Sequence, residues 1–148
     1  FTKYGVLTKS EYQSRIHIQL EKYVKQLGIE AETMVTIARN HILPAALEHQ
    51  RRVAEAVVAT KAAGVDAKDS TGALRDFVSL VTEFRKRTAE VERLAAHHDA
   101  DPAKHAAQIN RELKPAMERL REAGDSLEVQ VAADLWPMPT YRDLLFLK

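Results

Sequence analysis

The sequence predicts an all-α protein, an elongated bundle of about four helices closed by an extended Trp-Pro-x-Pro strap at the C-terminus. Three observations carry that reading. Apolar residues recur at spacings of three and four over most of the chain, the scarce glycines mark its joints except Gly124, a weak point inside the fourth helix, and two helix starts are signalled by capping residues.

Thr8-Lys9-Ser10-Glu11 matches the capping box, in which a Thr oxygen and a Glu carboxylate satisfy backbone N–H groups at a helix start. Helix one follows with Tyr12, Ile16, Leu20, Tyr23 and Leu27 on one face, and Gly28 supplies a residue that tolerates a left-handed stop. A second helix runs from about Glu30 to Ala63, with Ala31, Met34, Val35, Ala38, Ile42, Ala45, Ala46, Val53 and Val57 inward, before Gly64. In the third, Leu74, Phe77, Val81, Phe84, Thr88, Val91, Ala95 and His98 form a coiled-coil-like seam. Asp101-Pro102 reads as N-cap and first helical residue, and helix four carries Ile109, Leu113, Met117, Leu120, Leu127 and Val131 to about Asp134.

Pro44 and Pro115 fall inside the second and fourth patterns, where each removes a backbone hydrogen bond and crowds the carbonyl four residues earlier. Each therefore predicts a kink, the alternative being that each ends its helix. Both lie 14 positions beyond the assigned starts at Glu30 and Asp101, which places them at a similar height and predicts that the bundle bends there as a unit.

A chain of 148 residues fits one domain, 1–148, and is long enough for a core without staples; it has no cysteine to make them. Lys and Arg total 22 against 21 Asp and Glu, interleaved along the chain, so nothing draws it in bulk to nucleic acid. No apolar run approaches the roughly 20 residues of a membrane span, and FTKYGVLTKS lacks a signal-peptide core. The start at Phe1 rather than Met suggests a fragment or processed chain.

The most chemically tempting cluster is HHDADPAKH, His97 to His105, which holds three histidines and two aspartates. Imidazole and carboxylate suit zinc, but neighbours on a helix diverge by about 100° and the cap at Asp101 turns the chain midway, so a polar joint is the competing reading. His17, His41 and His49 are dispersed. Neither GxxxxGK nor GxGxxG is present, so a nucleotide cradle is not expected. No Glu-x-x-His occurs, the spacing that a metal-dependent bundle enzyme requires. Arg51-Arg52, Arg85-Lys86-Arg87 and Arg119/Arg121 sit among acids, as a solvated helix face does. No catalytic, cofactor or metal residue is assigned.

The close of the chain, LWPMPTYRDLLF, is different. Pro137 and Pro139 disfavour helix, and Thr140 is a candidate N-cap for a last turn through Phe146. Trp136, Leu144, Leu145 and Phe146 carry more apolar surface than an idle terminus needs. A strap folded over the bundle, or a contact with another domain or subunit, would account for it. Together with FTKYGVLTKSEYQSR at the start and IEAETMVTIARNHILPA in the middle, this ending resembles the C-terminal region of type III glutamine synthetases. Leu135 stands where that family commonly has an aromatic.

The resemblance implies a cytoplasmic parent enzyme that ligates ammonia to glutamate with ATP and Mg or Mn, in a catalytic domain preceding residue 1. It also implies assembly as a double-ring homo-oligomer. The present residues would then be an accessory domain, with no enzymatic activity of its own, packed on its catalytic domain and neighbouring subunits. An independent helical interaction module is the alternative. The expected contact residues are Tyr12, Ile16 and Tyr23 on helix one and Trp136, Pro137, Pro139, Tyr141, Leu144, Leu145 and Phe146 in the tail.

Overall fold

The computed structural model describes residues 5–139 and 144–145, and every regular element among them is helical. The elements are α1 (Lys9–Ile37), a π turn (Ala38–Ile42), α2 (Leu43–Ala62), α3 (Lys68–Ala95), α4 (Pro102–Gln108), a second π turn (Ile109–Leu113) and α5 (Lys114–Glu128). No gap separates α1 from α2 or α4 from α5. The bundle therefore has three helices rather than four: a long kinked first helix, α3 returning along it, and a third helix made of α4 and α5.

Two predicted boundaries locate the difference. Thr8 does cap α1 with the reciprocal box: its hydroxyl accepts from the Glu11 N–H at 3.2 Å while the Glu11 carboxylate accepts from the Thr8 N–H at 2.7 Å. Gly28 does not end the helix. The positive-φ glycines are Gly5 and Gly64, so Gly28 takes no left-handed stop, and the helix runs on through Glu30. Gly64, with φ of 77°, does stop α2; the Val65 N–H reaches back to the Thr60 carbonyl at 3.3 Å in a Schellman closure.

The prolines are absorbed by widening the helix. A π turn bonds each N–H five residues back, as Leu43 to Ala38 and Lys114 to Ile109 do. This extra residue lies directly ahead of Pro44 and of Pro115, where an α-helical bond would demand the missing N–H. The two sites are staggered. Arg39 pairs with Glu92 and Arg119 with Glu90, so Arg39 and Arg119 face adjoining turns of α3. Pro44 lies beyond the first and Pro115 before the second, an offset of roughly two turns, or about 10 Å, instead of the equal height expected.

The core follows α3. Phe77, Val81, Phe84, Thr88 and Val91 are buried along its seam, in one cluster with Ala45 and Ala46 of α2 and Leu120, Ala123 and Leu127 of α5. Thr88 satisfies its buried hydroxyl by donating to the Phe84 carbonyl at 2.8 Å. The seam stops at Ala95; His98 lies beyond the helix and is exposed. Asp101 caps α4, accepting from the Ala103 N–H at 2.9 Å. The last helix ends at Glu128, six residues short of Asp134, and the chain turns so that Val131 still reaches the core while Val129 is 86% exposed.

Candidate interaction surfaces

The first surface is an arm. α3 ends at Ala95 and α4 begins at Pro102, so α1 has neighbours along its second half, where Ala31 and Val35 are its buried residues. From Lys9 through Gln19 every residue is exposed. Even so, this stretch is amphipathic. Tyr12 and Ile16, with Leu7 and Leu20, line one shallow apolar depression, and Ile18 stands on the arm 57% exposed. Its helix is held by the capping box, and the Thr8 backbone and hydroxyl bonds lower the pKa of Glu11. Tyr23, further along, is partly buried against the core.

The second surface is the strap. Beyond Val131 the chain folds back onto the first helix through three contacts. The Ala132 N–H donates to Nδ1 of His49 at 3.3 Å, the Asp134 carboxylate meets the Arg52 guanidinium at 2.7 Å, and Trp136 packs, half-buried, on the core with Leu135. His49 is itself set by an edge-on contact with Phe77, centroids 4.8 Å apart. A charge chain continues from there, with Glu48 accepting from Arg51 at 2.6 Å and from Arg52 at 3.3 Å. The Arg51 hydrogen bond, assisted by Arg52, pulls the Glu48 pKa down to about 2, and Arg52 lowers that of Asp134.

Pro137, Met138 and Pro139 continue the strap and are exposed; Leu144 and Leu145 are 60% and 74% exposed. Thr140, Tyr141 and Phe146 lie outside the described residues. The strap thus borders a groove between the first helix and α5. Sequence spacing did not find the tie to His49 and Arg52, which lie 82 or more residues from their partners.

The histidine-rich joint brings the His97 and His98 rings to 6.3 and 5.9 Å, centroid to centroid, from the buried His105. Its aspartates are occupied as turn and cap acceptors, Asp99 from the Asp101 N–H and Asp101 from that of Ala103. Among the described residues no group of three or more His, Cys, Asp or Glu is placed to hold a metal ion. The basic groups pair with acids: Arg87 with Glu83 and Glu90, Arg119 with Glu90, Arg51 with Glu48 and Glu55. Partial burial works to raise the Glu90 pKa, but the bonds from Arg119 and Arg87 outweigh it and hold it low. Among the described residues no helix is long and apolar enough to cross a membrane. The chemistry on display is that of packing surfaces.

Residues 1–61, which hold the arm and most of the kinked first helix, match the family model of the glutamine synthetase C-terminal domain. A glutamine synthetase of Bacteroides fragilis (strain YCH46) is 28% identical over 152 residues, covering 97% of this chain. The type-3 glutamine synthetase of Dictyostelium discoideum is 26% identical across 100% of it, and a glutamine synthetase of Butyrivibrio fibrisolvens 25% identical across 99%. The chain is thus similar, over its first 61 residues, to glutamine synthetase C-terminal domains and, over nearly its whole length, to part of these enzymes. It spans about one fifth of those relatives, 21% of each. The arm, the strap and the two π turns all lie in the region that aligns with the Dictyostelium relative.

Proposed function

We propose that the domain is the accessory module of a type III glutamine synthetase, a cytoplasmic homo-oligomer whose catalytic part precedes residue 1. That part would perform the ATP-dependent ligation of ammonia to glutamate, with Mg or Mn. The domain contributes packing, assembly or control. The observation that carries this reading is the arm: a capped helix start whose apolar side, Tyr12 and Ile16, is exposed beyond the bundle's own core, with Ile18 exposed on another side. Apolar faces of that kind mark surfaces completed by another body. The relatives are about five times as long, and the remainder of such a chain or a neighbouring subunit would supply one.

The test uses the full-length parent. Replacing Ile16 and Ile18 together by Asp leaves the domain core untouched, since both are exposed. The expected result is a smaller assembly by sedimentation and reduced synthetase activity. Deletion of 135–148 separates the strap from the arm. Wild-type assembly and activity in both variants would overturn the accessory role and favour an independent interaction module.

A further inference from the structure

The chain has three methionines and one tryptophan, and all four line the same groove. Met34 and Met117 form its sides, Trp136 and Met138 overhang it from the strap, and its volume is about 540 Å³. Phe84 and Leu120 form the floor. Along the first helix it extends from Ile29 to Ile42, about 20 Å at 1.5 Å per residue. The rim is acidic: Glu30, Asp125 and Glu128 stand against one cation, Arg121, whose guanidinium lies 3.9 Å from Asp125. Glu30 accepts only a neutral amide, that of Gln26 at 3.0 Å, among its described hydrogen bonds.

Each feature points to the same kind of occupant. Methionine is unbranched and polarizable and moulds to a partner, and with tryptophan it is enriched at the buried centre of interfaces. Among the described residues the groove is long and open on one side, bounded by two helices, which suits an added helix better than a small molecule that must be mostly enclosed. Three carboxylates against one guanidinium favour a cationic partner. Ile29 and Met138 are already bare, 64% and 39% exposed.

We infer that this groove binds an amphipathic protein helix of about three to four turns, with aliphatic anchors on the floor and Lys or Arg along its edges against Glu30, Asp125 and Glu128. The site is distinct from the arm and does not depend on the role given to it above.

Trp136 is the sole tryptophan and sits at the groove, so its fluorescence reads occupancy directly. The 148-residue chain is titrated with a Trp-free helical peptide of about 14 residues, leucines four apart and lysines flanking, and with the same peptide bearing glutamate for lysine. The expected result is saturable binding of the lysine peptide, at least about tenfold tighter than its glutamate counterpart. Glu128→Lys should narrow that preference or reverse it. Ile29→Asp and Met138→Asp, both at exposed positions and checked for unchanged helicity, should weaken binding by about tenfold or more. Equal affinity for the two peptides, no response to either, or indifference to all three substitutions would overturn the inference. So would a Trp136 change that follows protein concentration without peptide, which assigns the groove to a second copy.

Discussion

Replacing Gly28 by Ala distinguishes one long first helix from two. In a continuous helix Gly28 is an interior residue with nothing within 4 Å of an added Cβ, so alanine fits without moving a neighbour. Glycine costs about 1 kcal/mol relative to alanine at such a position, and the variant should be more stable by that amount. For a chain of this size that is a rise of about 3 °C in Tm. At a left-handed helix stop, alanine would instead cost about 1–2 kcal/mol, so the two structures predict opposite signs. Gly64→Ala is the control, because φ there is 77° and the Cβ is strained however open the space. It should destabilise by about 1 kcal/mol or more. Urea unfolding, followed by far-ultraviolet circular dichroism and Trp136 fluorescence, measures both. A Gly28→Ala variant less stable than the parent chain would refute the continuous helix.

Three further outcomes follow from the packing and the charges. Leu120 is 2% exposed between α3 and α5, so Leu120→Ala should lose about 2–5 kcal/mol by calorimetry, and a loss below about 1 would contradict its burial. Asp101→Ala removes the side-chain acceptor for the Ala103 N–H and should cost about 1 kcal/mol, with Asp101→Asn retaining most of the stability. Glu48 should titrate by carboxyl NMR with a pKa of about 2, and Arg51→Gln should return it towards 4.5. Because the folded pKa is the depressed one, the unfolded chain takes up the proton first. The stabilisation is therefore complete above the ordinary carboxylate range and drains away as pH falls from about 4.5 towards 2.

Periodicity made the helix faces legible. Phe77, Val81, Phe84 and Val91 bury as their spacing requires, as do Ile109, Leu113, Leu120 and Leu127. The same spacing could not tell where α1 stops, since a glycine serves equally as interior residue or left-handed cap and only tertiary packing decides. Ala106, Ala116 and Ala123 are buried because close helix approach needs small side chains, yet alanine gives little apolar signal. Proline was read as a kink without the π turn that accommodates it, since the extra residue leaves no compositional mark. On the surfaces, the exposed arm at Tyr12 and Ile16 lay on the predicted face of helix one, while Met34 and Met117 of the groove read as ordinary core. His49 and Arg52, which hold the strap, looked like scattered polar residues because their partners are remote in sequence.

That remoteness also imposes an order on folding. Ala132 and Asp134 find their partners 83 and 82 residues back, and those partners are in reach only once the first and third helices lie side by side. Closing such a long loop ahead of the helices would carry its entropic cost with no packing to offset it. The strap is therefore the last part to settle, and Trp136, which it carries, is a clock for the final step. Helicity should return before Trp136 fluorescence reaches its native value on refolding, a lag that measures how long the finished bundle waits for its latch.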